Sequence, residues 1–296
     1  MAWMNERFPL SHSLLFFSLY LSAAAVARSG TNTVQFYWLD LVSCVVVWAY
    51  FLLLRVFDEH KDYAEDVQNH PQRVLQRGLI TLTHLKWVGA VCVAATLFWS
   101  LARDQGVGPA TFAWALMMSW TILMTMEFFC RQWLSARLMV YALSHMMVMP
   151  LLAWWCVQLA LPGHGINANA GLLAALFFVA GLAFEITRKT RGPEEERPTV
   201  DSYSRVLGPR RAAWLVLLLV LVFTLLCALL SYNIQQTVRW PGYLLPAIGL
   251  LFATGTLVRF VSAPSLRGRK KNEIAIALVT LLGYASVIAA GLTQHA

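Results

Sequence analysis

Residues 35–66 read QFYWLDLVSCVVVWAYFLLLRVFDEHKDYAED. An apolar run of membrane-crossing length, about 20 residues, passes without a linker into a segment in which every second or third residue is acidic or basic. At 3.6 residues per turn, Glu59, Asp62 and Asp66 fall at i, i+3 and i+7 on one helical face, with Asp58 flanking the stripe. A soluble domain does not place four carboxylates at the end of so apolar a helix, so the pattern predicts a spanning helix that delivers a polar cluster to a membrane face.

The rest of the 296-residue chain agrees. Hydrophobic residues make up 58% and charged residues 13%, against about 25% charged in an ordinary soluble domain, which excludes a soluble globular enzyme. Apolar blocks predict spans near residues 11–28, 35–57, 85–102, 109–126, 138–160, 168–185, 212–231, 243–261 and 273–292, an all-α bundle of nine helices forming a single domain over 1–296. With nine spans, 20 of the 23 Lys and Arg residues fall on the side of the N-terminus, leaving Arg28, Arg103 and Arg239 opposite. The positive-inside rule then makes the N-terminus and the polar loops cytoplasmic and sets the C-terminus on the other side, as in a bacterial inner membrane protein. The excess of basic residues therefore reports topology, and nucleic acid is not an expected partner. Arg7 followed by an apolar stretch and Ala23, Ala24, Ala25 and Ala27 also fits a cleavable signal, without changing the sidedness of later loops. The five cysteines, Cys44, Cys92, Cys130, Cys156 and Cys227, show no metal-binding spacing and read as packing residues. Trp3, Trp87, Trp133, Trp214 and Trp240, near span ends, read as interfacial anchors.

Two loops, 58–84 and 185–211, hold ten of the 15 carboxylates. Each follows the second span of a four-span unit, which predicts two repeats of four helices plus a final one, with a site at their interface. Clustered carboxylates suit Mg²⁺, which prefers oxygen ligands, keeps several waters and completes its shell with substrate phosphate. A solvated helix end is the plain alternative for the same charges. In the first loop Arg73 and Arg77 add guanidinium forks that match phosphate oxygens.

The order Asp58-Glu59-x-x-Asp62-x-x-x-Asp66, then Asn69-His-Pro-Gln-Arg73 and Gly78, resembles the first motif of the UbiA superfamily of intramembrane prenyltransferases. Glu59 stands where that family usually has Asp. The resemblance extends over the nine-span layout. It implies Mg²⁺ held by Asp58, Glu59, Asp62 and Asp66, an isoprenyl diphosphate as donor, and a lipophilic, aromatic acceptor. The family's second motif has the form K-D-x-x-D-x-x-x-D, followed by T-L-P and a Gly. Counting back from Gly208 puts Ser202-Tyr203 at the Thr-Leu position and Glu196 at the last acidic one, while Lys189 and Gly192 occupy the first two. Either Glu185, Glu194 or Glu195 supplies ligands from shifted positions, with Glu196, or the fixed charge of Lys189 replaces a metal, with Arg188 and Arg191 beside it. An anionic-lipid contact is the bland reading of those basic residues.

The catalytic set implied is Asp62, Lys189 and Arg73, with the diphosphate held by Arg73, Arg77, Arg188, Lys189 and Arg191. Asp40, Glu127, His145 and Glu185 are ionisable groups at or near membrane depth. Asp40 and Glu127 read equally as interfacial caps. Arg131 and His145 are the candidate acceptor contacts; positive-inside duty is the alternative for the first, and a neutral packed imidazole for the second. The same fold also allows terpene cyclisation or phosphoribosyl transfer to a polyprenyl phosphate, and a transporter is the non-enzymatic alternative. The paucity of ionisable groups through the midplane argues against the last.

Overall fold

The computed structural model describes residues 2–29, 34–197, 201–237 and 239–294, and among these it contains helices and no strands. The helices are α1 (Ala2–Arg7), α2 (Ser13–Arg28), α3 (Trp38–Lys61), α4 (Tyr63–Asn69), α5 (Leu82–Asp104), α6 (Pro109–Thr125), α7 (Arg131–Ser135), α8 (Leu138–Met146), α9 (Val148–Ala160), α10 (Ala168–Arg188), α11 (Tyr203–Leu207), α12 (Pro209–Gln235), α13 (Pro241–Ser262) and α14 (Leu266–Leu292). Consecutive long helices pack side by side, and α14 returns to pack on α2, closing the bundle into a ring.

Eight of the described helical segments are long and apolar enough to cross a bilayer. The block expected at 109–126 forms α6, which at 17 residues is shorter than the rest and spans only about 25 Å. Nine spans were expected, and length and composition bear out eight. The span expected at 138–160 is divided at Met147. Pro150 explains the division, because it has no N–H to donate to the carbonyl one turn earlier.

Small residues set the closest packing. Ala23 to Ala27 of α2 are fully buried where the helix meets α3, α9 and α14, so the stretch that also fits a signal sequence lies inside the bundle. Polar side chains are paired across helices: Tyr50 Oη with Thr121 Oγ1 at 2.8 Å, and the Trp155 indole N–H to Ser100 Oγ at 2.9 Å. Such pairing is required where no water can substitute. At the end of the bundle away from the polar loops, Arg28 donates to both carboxylate oxygens of Asp40 at 2.8 Å and to the carbonyl of Ala160, while Tyr20 Oη donates to Asp40 as well. Asp40 thus caps α3 and locks three helices together. Trp87, Trp133, Trp214 and Trp240 are exposed, as expected of interfacial anchors, but Trp3 is buried. The short helix α1 folds back against the bundle, which takes Trp3 out of the interface. All five cysteines are free.

Candidate active site

The acidic stripe does not form one straight helix. α3 ends at Lys61, and α4 starts at Tyr63. Asp62 sits at the bend with backbone angles outside the helical well, although hydrogen bonds from Asp62 N to Asp58 O and from Asp66 N to Asp62 O carry the chain across. The bend separates the carboxylates. Glu59 is buried and turned toward two arginines, Arg7 of α1 at 2.5 Å and Arg55 at 2.6 Å. Asp66 pairs with Arg73 and, at 3.7 Å, with Arg7. Glu65 pairs with Arg131 at 2.8 Å.

Asp58 and Asp62 remain. The Asp58 side chain is 45% exposed, lies 3.7 Å from Arg55 and also feels the charges of Lys61 and Arg188. The Asp62 side chain has no ion-pair or hydrogen-bond partner among the described residues. Partial burial, together with the negative charges of Asp58, Asp66 and Glu65, pushes its carboxyl up to about 6, against the opposing pull of Lys61. A carboxyl held so far above its ordinary range has an anionic form that lacks compensation, which a cation would supply. Among the described residues no three His, Cys, Asp or Glu side chains converge in a ready-made cage. Mg²⁺ needs none, since one or two carboxylates plus phosphate oxygens and water complete its shell. Asp58 and Asp62, one turn apart on the same helix face, fit that requirement.

The second polar segment begins at the end of α10. Glu185, 9% exposed, is held by Arg188 at 2.8 Å and Lys189 at 2.7 Å. Lys189 Nζ lies 5.1 Å from the centre of the Tyr141 ring, and Lys61 reaches the same residue from α3, with its Nζ 2.7 Å from Tyr141 Oη. One tyrosine of α8 therefore stands between the cationic ends of both polar segments. Further along, Arg197 reaches the carbonyl of Asn69 at 3.3 Å, so the two loops meet on one face of the bundle.

Each loop ends near a glycine of positive φ. Gly78 and Gly208 have φ of +73° and +82°, and Gly208, with ψ of 147°, lies outside the left-handed helical well in a region that essentially only glycine occupies. Gly208 leads directly into Pro209 at the first position of α12, and Gly78 precedes the Thr81 cap of α5.

Over residues 14–277 the sequence matches the UbiA prenyltransferase family. The chain belongs to that family. The bundle is also similar to the solved structure of a digeranylgeranylglyceryl phosphate synthase, with a TM-score of 0.62 over 97% of this chain and 99% of that one, at 15% sequence identity. That likeness speaks for the fold alone. Comparison with curated protein sequences finds no significant match.

Other residues expected at the site of this UbiA-family protein take varied places. Arg77 is exposed. Glu195 is tied to Arg269 of α14 at 2.9 Å, and Glu196 accepts hydrogen bonds from Ser202 and Ser204. Arg191 lines an open groove of about 440 Å³ with Arg197 and Arg205. Arg131, 62% exposed, lies on the rim between Glu65 and Glu127. Sequence reading missed Lys61, Tyr141 and the structural task of Arg7. Lys61 carries a signal in retrospect, being the one cation inside the acidic stripe; Tyr141 carries none, because a tyrosine within a span is ordinary until its neighbours are known.

Proposed function

We propose that the protein is a Mg²⁺-dependent intramembrane prenyltransferase that moves an isoprenyl group from an isoprenyl diphosphate to a lipophilic acceptor, an aromatic ring being the acceptor class the family resemblance implies. The observation that carries the reading is the approach of the two polar segments: Lys61 and Lys189 meet at Tyr141, and Arg188 lies near enough to Asp58 and Asp62 to act on both charges, which sets carboxylates opposite fixed positive charge at one face of the bundle.

Asp58 and Asp62 would hold Mg²⁺, with Asp66 within reach if it gives up part of its bond to Arg73. Such an ion would supply charge neutralisation to the departing diphosphate. Lys189 supplies a point charge where the family pattern has an acidic ligand. Arg73 and Arg191 offer forked donors for phosphate oxygens. Since Glu185, Glu195 and Glu196 are already engaged by Arg, Lys and Ser partners, the fixed charge of Lys189 is the better account of the altered second loop than a second metal. The apolar helices below the loops would take the prenyl tail and keep water from the cation formed when diphosphate leaves. The distribution of Lys and Arg supports a cytoplasmic position for both loops.

The test is diphosphate release by purified protein from geranyl, farnesyl and geranylgeranyl diphosphates, with and without Mg²⁺, with a membrane lipid extract as acceptor source. Release that requires Mg²⁺ and rises with the extract supports transfer. Release indifferent to the extract points to cyclisation instead, and no release with any donor overturns the reading.

A further inference from the structure

The N-terminal helix reaches into the acidic stripe. α1 is short, but apolar side chains hold it at its start and just past its end: Trp3 and Phe8 are each 5% exposed. The Phe8 ring stacks on Phe16 of α2 at 5.7 Å and meets Trp48 of α3 edge-on at 5.3 Å. Between these anchors Glu6 and Arg7 both grip the first polar loop. Glu6 Oε2 accepts a hydrogen bond from Val74 N at 2.9 Å. Arg7 donates through Nε to Glu59 Oε1 at 2.5 Å, and its Nη2 lies 3.7 Å from Asp66 Oδ2. One guanidinium therefore spans two carboxylates of the stripe.

Charge balance alone does not call for Arg7 here. Arg55 already reaches Glu59 at 2.6 Å, and Arg73 pairs with Asp66, so three arginines stand against two carboxylates. A guanidinium stays charged in a protein, which makes Arg7 a fixed cation. The bonding at Glu59 is nevertheless lopsided. Arg7 and Arg55 both donate to Oε1, while Oε2 is buried with no partner among the described residues. Buried polar atoms are almost always satisfied, and a carboxylate only 1% exposed with one oxygen bare keeps capacity for a cation. The group that lies between Glu59 and Asp66 is the Arg7 side chain. Asp62 has no guanidinium seated on it among the described residues.

We infer that Arg7 is a positioning residue of the metal site: by filling the space between Glu59 and Asp66 it keeps both out of the ligand set and confines Mg²⁺ to Asp58 and Asp62. This rests on the prenyl-transfer reading and deepens it by naming what decides which carboxylates of the stripe take the ion. A divalent cation sharing Glu59 or Asp66 with Arg7 would lie close to a fixed positive charge and be repelled. Without Arg7, the same ion can draw on Glu59 as well.

The test is a double-mutant cycle on metal affinity, which needs no turnover. Mn²⁺, which takes the same oxygen ligands as Mg²⁺, is titrated into the full-length protein in detergent, with the free ion followed by its paramagnetic resonance signal. The cycle compares wild type, Arg7→Gln, Glu59→Gln and the double variant. Arg7→Gln is expected to bind Mn²⁺ about tenfold more tightly than wild type, and the gain is expected to vanish when Glu59→Gln is added, because the carboxylate that would take the ion is gone. A long-range effect of the lost charge would instead survive in the double variant. That result, or equal affinity in wild type and Arg7→Gln, overturns the inference. Trp3→Ala keeps every charge and loosens only the anchor of α1. It should tighten Mn²⁺ binding about threefold, and unchanged affinity there overturns the inference should Arg7→Gln fail to fold. Mg²⁺-dependent diphosphate release by the wild type reports on prenyl transfer separately. Release without coupling between Arg7 and Glu59 removes only the role of Arg7, coupling without release keeps that role and removes prenyl transfer, and no Mn²⁺ binding by any of the proteins overturns the inference too.

Discussion

The two polar loops follow a similar plan, a spanning helix, a charged segment and a positive-φ glycine, yet they compensate their charges to different extents. In the first, Glu59 is held by Arg7 of the N-terminal helix and by Arg55 one turn back, Asp66 by Arg73 and Glu65 by Arg131, while the Asp62 side chain has no close partner among the described residues. In the second, Glu185 is held by Arg188 and Lys189 of its own helix, Glu195 by Arg269 of α14, and Glu196 by serines six and eight residues on. Fuller compensation leaves the second loop little capacity to take a cation, whereas the first keeps Asp62, with the half-exposed Asp58 beside it, short of close positive partners. The two loops thus differ in the charge they leave uncompensated, and that asymmetry is what the proposed clamp on a metal-bound diphosphate would use.

The sharpest way to break this contrast is to remove one carboxylate from each loop. Asp62→Ala is expected to lower Mg²⁺-dependent diphosphate release about 100-fold or more, and Glu195→Ala about tenfold at most. Asn69→Ala should fall well short of Asp62→Ala; equal losses in those two would count against Asp62 as a metal ligand. Stability should separate the loops next. Arg7→Gln strips a partner from buried Glu59 and should cost about 2 kcal/mol, read as a drop in Tm in detergent. Arg188→Gln breaks a pair whose arginine is 59% exposed and should cost under about 1 kcal/mol.

Proton linkage offers a third test. With its carboxyl raised to about 6, Asp62 holds a proton in the folded protein between pH 4 and 6 that the unfolded chain has released. The metal-free protein should therefore gain stability as pH falls through 6, and Mg²⁺ affinity should weaken with the same fall, about tenfold per unit at most, since the ion competes with one proton. Calorimetric titration of Mg²⁺ at pH 5 and pH 7.5 reads both the affinity and the proton released; a pH-independent affinity would remove Asp62 from the ligand set. The smallest effect concerns what the loops share. Gly78→Ala and Gly208→Ala meet no neighbouring atom, so each should cost only its backbone penalty, about 1 kcal/mol at Gly78 and about 1–3 kcal/mol at Gly208, whose ψ of 147° lies in a region almost reserved for glycine. Equal losses at the two, read as drops in Tm, would show that the two turns are equivalent.

Much of this was legible in the chain itself. The apolar blocks located the helices to within a few residues because a bilayer demands long runs and every backbone group must be bonded within its own segment. The motif spacing singled out Asp58, Glu59, Asp62 and Asp66 alike and set Lys189 at an acidic position of the second motif, without showing which of these groups are already paired. The short α6 was harder to score, since its 17 residues sit at the lower limit of what a span requires.

What the sequence by itself determined, then, is the all-helical membrane architecture and the two charged segments, properties set by local composition and period. Which carboxylate faces which cation was decided only in three dimensions. Glu59 and Asp62 are three residues apart and chemically alike, but a bend turns one toward Arg7, 52 positions away, and leaves the side chain of the other without a partner among the described residues. The proton position on His145 was likewise decided only by a contact, that of Nδ1 with the Tyr141 carbonyl. Charge pairing and tautomer depend on contacts between residues far apart along the chain, and helical periodicity carries no information about those.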